Sequence, residues 1–327
     1  MYKLSRGSEV KNIMEELIYL HSLSFGNYPG VLPTSKEFLE WYIERPGLGL
    51  ENTLLFLDGD KVISSLFLTL SHIYLEGELT PVGIIDTVMT HPAYRRRGLA
   101  STLLKEAEKI MAKKGCRLGY LYTVPESPQF YIYQRLGYID FKRIFHLQRE
   151  KGEKALYYWE ERQCYSQKAR EFLNQNLSSY NGFVYLSEEQ WMWRKVKRPV
   201  CLPTKLISLQ DENDHLLATL TITEGEITTG KEPEPIAYLS DWCGINREVK
   251  EKVLIKALSL GGEKNKIDYL SSPDNAEEWQ ILLQHRFRPT MPETAMLHPL
   301  DEDMYQKITT IDQNKPWYPL IESIIGV

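Results

Sequence analysis

The chain has 327 residues, of which 43% are hydrophobic and 25% charged. This composition is typical of globular proteins and excludes disordered, collagen-like and disulfide-scaffold chains. At roughly 150 residues per domain, the length predicts about two domains. The formal net charge of −5 argues against a general nucleic-acid binder, because phosphate neutralisation needs a basic surface.

The N-terminal segment predicts neither a membrane anchor nor a secretory signal. No apolar run approaches the roughly 18 residues of a membrane span, and Glu15 and Glu16 interrupt the first apolar stretch. The cysteines have no CxxC pair and no zinc-like spacing; they are Cys116, Cys164, Cys201 and Cys243. We therefore expect a cytoplasmic protein with reduced thiols and no metal, membrane or nucleic-acid partner, and we leave its oligomeric state open.

Two stretches of the chain repeat one pattern, which predicts a duplication. In residues 35–46 and again in 187–199, a serine precedes a helical stretch, a tryptophan follows six positions later and a proline ends it. Each stretch is followed by a hairpin, with Asp58-Gly59 at the first turn and Asp211 at the second. A strand, a helix, a strand and a helix then follow in both halves. This alternation predicts a mixed α/β sheet with helices packed on it.

The repeat divides the chain into two units and a tail. We predict a first unit over residues 1–150 and a second over 155–300, joined by a charged linker near 148–156. Residues 301–327 are rich in apolar and aromatic side chains near their end, so we expect this tail to dock on the protein.

The most informative segment is a strand, turn and helix over residues 82–104. A β-branched strand from Val82 to Thr90 leads into the turn RRRGLA (95–100), and an apolar stripe at helical spacing begins at Leu99. Free backbone N–H groups and the positive helix end would meet at this turn, forming an anion site suited to a pyrophosphate. Gly98 would let the phosphates approach without a Cβ in the way.

This segment and a second one resemble the signatures of the GCN5-related N-acetyltransferase (GNAT) superfamily. RxxGxA, preceded by Val88-x-x-His91-Pro92-x-Tyr94, is similar to its acetyl-CoA signature. Downstream, FYIYQRLGY (130–138) resembles its second signature, with Tyr133, Gly137 and Tyr138 at the matching positions. The resemblance covers about residues 40–148. The tandem layout resembles the two-domain GNAT proteins related to the enhanced intracellular survival acetyltransferases.

The resemblance implies tandem GNAT folds, each with a mixed, mostly antiparallel central sheet flanked by helices. It also implies acetyl-CoA as co-substrate, without a metal. The N–H of Met89 or Thr90 would polarise the thioester carbonyl as an oxyanion donor. The residues expected to contact the co-substrate are Val88, Met89, Thr90, Arg95, Arg96, Arg97, Gly98, Leu99, Ala100 and Ser101.

Tyr133 and Asp86 are the catalytic candidates. The Tyr133 phenol would protonate the departing CoA thiolate; the alternative is a tyrosine that only packs. Asp86 lies on the same strand face as Val88 and would deprotonate or anchor the acceptor ammonium; the alternative is a structural hydrogen bond. If Asp86 is structural, the base is sought in His91, an ordered water, or a carboxylate of the second unit or tail, including that of Val327.

The second unit lacks the equivalent motifs. It has INREVK (245–250) where the first has RRRGLA, and Ile281, Leu282 and Arg286 near the positions of Tyr133 and Gly137. We therefore expect a catalytically silent copy. The predicted function is acetyl transfer from acetyl-CoA to a primary amine of a small molecule or peptide, by direct attack in a ternary complex. The alternatives are a non-catalytic acyl-CoA sensor and a transferase of longer acyl groups.

Overall fold

The computed structural model describes residues 2–26, 34–150, 167–228, 233–261 and 266–322. The strands in these ranges are β1 (Lys3–Arg6), β2 (Thr53–Asp58), β3 (Lys61–Leu75), β4 (Glu78–Thr90), β5 (Leu118–Thr123), β6 (Ile139–Glu150), β7 (Thr204–Gln210), β8 (Leu216–Thr228), β9 (Pro233–Gly244), β10 (Lys266–Ser271) and β11 (Arg288–Pro299). The helices are α1 (Ile13–Phe25), α2 (Lys36–Ile43), α3 (Leu99–Lys113), α4 (Pro128–Arg135), α5 (Gln167–Leu177), α6 (Glu188–Trp191), α7 (Arg247–Gly261), α8 (Ala276–Gln284) and α9 (Glu302–Thr310).

The described strands form one continuous sheet in the order β1-β2-β3-β4-β5-β11-β6-β10-β9-β8-β7. Only the β4–β5 and β9–β10 pairs are parallel. The order is nearly symmetric about the β11–β6 pair, since β5 and β10, β4 and β9, and β3 and β8 take matching places on either side. The predicted mixed α/β fold with a mostly antiparallel sheet and flanking helices is confirmed.

The two predicted units exchange strands at the centre of this sheet. β11, near the end of the second unit, lies between β5 and β6 of the first. β6 in turn lies between β11 and β10, with Lys266 opposite Glu150. Each unit's sheet is therefore completed by a strand of the other. The division at 150 and 155 stays a prediction, and the linker residues 151–156 and the Val327 carboxylate lie outside the described residues.

The matched serines begin helices in both halves. The Ser35 side chain accepts a hydrogen bond from Phe38 N at the start of α2, and Ser187 accepts one from Gln190 N at the start of α6. Such caps satisfy backbone donors that have no partner within the helix. The β2–β3 hairpin turns at Gly59, whose φ of 61° lies in the left-handed region that glycine adopts readily.

The two faces of the first half of the sheet carry separate apolar cores. On one face, α1 and α2 pack through Leu17, Leu20 and Tyr42 onto β3 and β4. On the other face, α3 and α4 bury Leu103 and Tyr133. The gap between β4 and β5 is bordered by residues of both faces.

Within the described ranges, no helix has both the length and the apolar character needed to cross a membrane. The three cysteines that lie in these ranges are free thiols, and Cys164 falls outside them. No group of three His, Cys, Asp or Glu side chains in the same ranges is arranged to hold a metal ion.

Candidate functional site

The strands β4 and β5 separate soon after they pair. Their parallel register covers only Val82, Gly83 and Ile84 of β4. Beyond that point β4 bulges: its register with β3 shifts between Ser65 and Phe67, and Thr87 has a φ of 52°. A bulge bends its strand and strengthens the local twist, which moves the end of β4 away from β5.

A cleft of about 160 Å³ occupies the gap between the separated strands. Helix α1 contributes one residue to its wall, and α4 and the turn before it contribute several. One wall residue, Glu293, comes from β11. The lining residues are Phe25, Ile85, Asp86, Thr87, Val88, Leu121, Tyr122, Thr123, Val124, Ser127, Gln129, Tyr133 and Glu293. The structure places Asp86, Val88 and Tyr133 on the wall of one cavity. The expectation that Asp86 and Val88 share a strand face is wrong: Asp86 lies on the side of α2 and Val88 packs against the core beneath α3, because the bulge at Thr87 interrupts the alternation.

The turn that follows β4 presents a run of free backbone donors. The N–H groups of the six residues 96–101 donate no hydrogen bond to any part of the chain that the structure describes, and the first such bond of α3 comes from Thr102. No side chain caps the helix at Gly98. Gly98 has a φ of 75°, and a Cβ there would meet no atom within 4 Å. Free N–H groups at a positive helix end, with open space before them, form an anion site.

The three arginines of this turn differ in their partners. Arg95 Nε donates to the Thr90 carbonyl at 3.1 Å. Arg97 donates to the Ala93 carbonyl and to the Tyr2 hydroxyl, and it lies over the Tyr94 ring. Arg96 is exposed and makes no side-chain hydrogen bond within the described ranges. Arg95 and Arg97 therefore hold the turn in shape, whereas Arg96 is available to a ligand.

The backbone of β4 beyond the bulge alternates between β3 and the cleft. The Met89 carbonyl accepts from Ser64 Oγ, and His91 N–H donates to Ile63 O, so these two positions face β3. Successive residues of a strand direct their backbone groups to opposite sides, so Val88 and Thr90 direct theirs to the cleft side. This arrangement favours Thr90 N–H over Met89 N–H as the oxyanion donor.

Tyr133 is held in place by the way α4 ends. Gly137, with a φ of 90°, donates its N–H to Gln134 O, and Tyr138 N–H donates to Tyr133 O at 3.1 Å. This pair of bonds is a Schellman motif, which needs a left-handed residue just past the helix end. The motif explains why a glycine follows the tyrosine at this spacing, and it fixes Tyr133 on the last turn of α4.

The Tyr133 side chain is buried against the cleft. Its residue is 7% exposed, and no described group forms a hydrogen bond with its hydroxyl. Burial raises the pKa of the phenol above its ordinary value, because desolvation disfavours the phenolate. The hydroxyl therefore keeps its proton at neutral pH and can act as a proton donor.

Asp86 is held in a buried ion pair. Its Oδ2 accepts hydrogen bonds from Arg45 Nη1 at 3.0 Å and from the Tyr42 hydroxyl at 2.8 Å. Both members of the ion pair are almost fully buried. The Arg45 guanidinium and the Tyr42 hydroxyl thus occupy one oxygen of the carboxylate and fix its orientation. The geometry therefore favours an anchoring or structural role for Asp86 over proton abstraction.

Glu293 is a cleft carboxylate that no sequence motif singled out. It is 9% exposed and pairs with Ile144 of β6, one residue beyond the last pair that β11 makes with β5. Burial raises its pKa from 4.5 to about 7, although His146 acts in the opposite direction. Within the described ranges its carboxylate has no hydrogen-bond or ion-pair partner.

His91 lies outside the cleft lining. Its Nδ1 accepts from Ala93 N at 3.2 Å and its Nε2 lies 3.3 Å from Lys61 Nζ. Burial and the nearby Lys61 lower the pKa of its imidazole. These contacts cap the turn that follows β4.

The second unit has the same framework with different contents. At its β9 bulge, Asp241 has a φ of 51°, close to that of Thr87. The Asp241 N–H donates to the Tyr318 hydroxyl at 2.6 Å, and its carboxylate pairs with Arg194 and Lys195. Thr87, the counterpart of Asp241 in the first unit, lines the cleft. Around Asp241, side chains of the chain itself occupy the equivalent space.

The helix ends of the second unit also differ. The Asn246 side chain accepts from Val249 N at the start of α7, so this helix terminus is already capped. At the end of α8, Phe287 N–H donates to Leu282 O and Arg286 takes the left-handed conformation. Leu282 therefore occupies the place of Tyr133, and Arg286 that of Gly137. The two halves therefore differ at both helix ends, and the catalytically silent second unit stays a prediction.

Comparisons with known proteins identify the domain and the fold. Residues 11–139 match the family model described as an acetyltransferase (GNAT) domain. No curated protein sequence matches the chain at a significant level. The fold is similar to that of a GCN5-related N-acetyltransferase from Anabaena variabilis, with a TM-score of 0.66 and 16% identity, covering 92% of this chain and 73% of that one.

Two further solved structures have similar folds. A probable N-acyltransferase of unknown function from Enterococcus faecalis has a TM-score of 0.64 and 15% identity, covering 92% of this chain and 73% of that one. Saccharomyces cerevisiae N-myristoyltransferase with bound myristoyl-CoA has a TM-score of 0.71 and 13% identity, covering 91% and 79%. The predicted GNAT domain is confirmed, and the closer resemblance to the enhanced intracellular survival type stays a prediction.

Proposed function

We propose that the chain is an acetyl-CoA-dependent N-acetyltransferase that acetylates a primary amine by direct attack in a ternary complex. The observation that carries the proposal is the run of free backbone N–H groups over residues 96–101, next to a cleft with the Tyr133 phenol on its wall. The match of residues 11–139 to an acetyltransferase domain supports acyl transfer in general. The first unit would be catalytic and the second a degenerate copy.

The co-substrate would be held mainly by backbone groups. The N–H groups of residues 96–101 suit the pyrophosphate, and the exposed Arg96 adds a positive charge. Backbone groups of Val88 and the Thr90 carbonyl, on the cleft side of β4, suit the pantetheine amides, which leaves the Thr90 N–H for the thioester oxygen. The open space before Gly98 supports this assignment, since phosphates need to approach the backbone closely.

The chemistry would use groups on both sides of the cleft. Thr90 N–H would stabilise negative charge on the thioester oxygen as the amine attacks. Tyr133 would protonate the sulfur as the C–S bond breaks. Asp86, with its charge compensated by Arg45, would orient the acceptor from the opposite face of the sheet. No metal is needed for these steps.

The size of the cleft supports a short acyl group. A cavity of about 150 Å³ accommodates one benzene molecule, and the cleft has about 160 Å³. Such a space accommodates an acetyl group at the end of a pantetheine arm. A panel of acyl-CoA thioesters of increasing length tests this point directly, with acetyl-CoA expected to give the highest kcat/KM.

Calorimetry followed by a turnover screen tests the proposal. Acetyl-CoA should bind at one site per chain. The screen would supply acetyl-CoA with polyamines, aminoglycosides, free amino acids and peptides with free N-termini, and detect products by mass. Acetylation of at least one amine is expected. Binding without turnover on any of them would favour the acyl-CoA sensor, and absence of binding would overturn both readings.

A further inference from the structure

We propose that Glu293, on the last strand of the second unit, is the group that takes the proton from the acceptor's ammonium. This inference rests on the proposed acyl transfer and assigns to the silent unit a direct part in it. Because β11 is inserted between β5 and β6, the cleft of the first unit is completed by a residue roughly 150 positions beyond its own motifs. The site is then composite, and neither half of the chain contains it alone.

The position of Glu293 places it on the acceptor side of the cleft. Residues two apart on a strand share a face, and Ala295 belongs to the core beneath α1 and α2. Tyr133 belongs to the core on the opposite face, beneath α3 and α4. The helix α3 that carries the anion site lies on that same opposite face. The two groups thus border the cleft from opposite sides, Tyr133 toward the thioester and Glu293 toward the incoming amine.

The environment of Glu293 suits proton uptake better than that of Asp86. Glu293 lines the cleft with no described partner for its carboxylate, whereas Asp86 accepts bonds from Arg45 and Tyr42. Burial holds the pKa of Glu293 at about 7, which is near the optimum for a base working at neutral pH. Leaving a buried carboxylate without a partner is costly, and such costs concentrate at functional sites.

His146 of β6 is the charged neighbour that tunes Glu293. Its Nδ1 lies 2.6 Å from Asp268 Oδ2. Burial disfavours the imidazolium, but the Asp268 and Glu293 carboxylates together outweigh this effect and raise the His146 pKa. The imidazolium in turn limits how far burial raises the pKa of Glu293. The other titratable or charged groups of the cleft are Asp86 with its partner Arg45, Tyr122 on β5 and Tyr133 on α4. On β6, Lys142 lies on the same strand face as Glu293 and pairs with Asp274.

The proton balance closes without a further reactant. An N–H bond of the ammonium breaks and an O–H bond forms on Glu293. The free amine attacks, the C–N bond forms and the C–S bond breaks. Tyr133 gives its proton to the sulfur and becomes a phenolate. The second proton lost by the nitrogen then restores the Tyr133 phenol. Glu293 then releases its proton to water, so each turnover liberates one proton.

The test compares Glu293→Gln with wild type, using acetyl-CoA and the best amine of the screen over pH 6–9. Calorimetric affinity for CoA should be unchanged, whereas kcat/KM for the amine at pH 7 should fall by about 10²–10⁴-fold. In wild type, kcat/KM should rise to a plateau above the Glu293 ionisation. In the variant, kcat/KM should rise about tenfold per pH unit, because only the free amine in solution can react. The ratio of wild-type to variant kcat/KM should therefore fall as the pH rises.

The control is Glu278→Gln, which neutralises another buried carboxylate of the second unit whose pKa burial raises but which lies away from the cleft. Its activity per folded molecule should match wild type. A Glu293→Gln enzyme with the wild-type rate and pH profile would overturn the proposal. Absent CoA binding in wild type would instead overturn the proposed function.

Glu293→Asp keeps the test decisive if the glutamine variant does not fold. It retains a carboxylate with an intrinsically lower pKa, one methylene further from the acceptor. The ionisation in kcat/KM should move to lower pH and kcat should fall. An ionisation that stays at its wild-type pH would belong to another group and would refute the assignment.

Discussion

Trp41 and Trp193 stack with ring centroids 4.6 Å apart and planes 7° from parallel, and each indole N–H donates to the other residue's backbone carbonyl. The two residues hold the same position in the repeated pattern, six residues after Ser35 and Ser187. Both are buried. Equivalent residues that contact each other reciprocally lie on a local two-fold axis. The two halves of the chain therefore meet here through a self-complementary contact, which is the arrangement that the predicted duplication would produce.

Replacing either tryptophan with phenylalanine should destabilise the protein. Trp41→Phe leaves the buried Trp193 carbonyl without its donor, which costs about 1–3 kcal/mol, and Trp193→Phe does the same in reverse. The double variant should lose less than the sum of the two, because both act on one contact. Denaturant unfolding measures the free energy of unfolding of both single variants and of the double variant.

Trp279→Phe is the matched control for this pair. Its indole N–H is buried without an acceptor in the described ranges, so losing that N–H removes no hydrogen bond. We expect a smaller effect than at Trp41 or Trp193. If the effects of Trp41→Phe and Trp193→Phe on the free energy of unfolding are additive, the two stacked rings do not stabilise each other.

Removing the Tyr133 hydroxyl tests the proposed acid. Tyr133→Phe should leave CoA affinity nearly unchanged and lower kcat by about 10²–10⁴-fold, because the ring and its packing remain while the proton is lost. Tyr131→Phe is the control, since Tyr131 lies on the same helix but is 50% exposed. Steady-state kinetics distinguish the two. Full activity in Tyr133→Phe, with loss in Tyr131→Phe, would move the motif by two residues.

Gly98→Val tests the anion site. A β-branched side chain is strained at a φ of 75° and would occupy the open space before the free N–H groups. Calorimetric binding of CoA should be lost. Gly115→Val is the matched control, because Gly115 has a φ of 76° and equally open surroundings at the far end of α3. It should lose comparable stability and still bind one CoA per chain.

Asp86→Asn separates stability from catalysis. It leaves the Arg45 guanidinium buried without its carboxylate, and breaking a buried ion pair costs about 3–5 kcal/mol. We expect a clear fall in Tm, with a smaller fall in kcat/KM per folded molecule than Glu293→Gln produces. Both quantities should be measured on the same sample. A large kinetic loss at unchanged Tm would return Asp86 to the role of base.

The local features of the fold were predictable because short segments determine them. The caps at Ser35 and Ser187, the turn at Gly59 and the strand–turn–helix around Gly98 depend on residues close together in the sequence. A strand's alternation specifies which face is buried but not which strand lies beside it. The strand exchange that places β11 next to β5 was therefore not predictable from the pattern.

Glu293 was missed for a related reason. It lies in RPTMPETAMLHP (288–299), where Pro289 and Pro292 argue against a central strand. The structure accommodates these prolines because the register with β6 shifts between them, as bulges allow. The Asp86–Arg45 pair was hidden too, since the two residues are 41 positions apart and meet only through the packing of α2 on the sheet.

The ionisation of Glu293 should appear in the pH dependence of stability. Burial raises its pKa from 4.5 to about 7, so the folded state favours the protonated form. The resulting stabilisation is complete below pH 4.5 and is lost as the pH rises through 7. The difference of about 2.5 pKa units corresponds to about 3 kcal/mol. Glu293→Gln stays neutral and keeps its stability over this range.

Denaturant unfolding of both proteins between pH 5 and 8 measures this effect. As the pH rises, the free energy of unfolding of Glu293→Gln should increase relative to that of wild type. The same variant should be less active than wild type at pH 7. This combination is typical of a residue retained for catalysis at a cost in stability. The control is Glu226→Gln, which changes an exposed carboxylate on β8. Its free energy of unfolding should depend on pH in the same way as that of wild type. If the free energy of unfolding of Glu293→Gln also depends on pH in the same way as that of wild type, the Glu293 carboxylate has an ordinary pKa in the folded protein. It would then be mostly ionised and weakly basic at pH 7, which would remove the basis for assigning it the acceptor's proton.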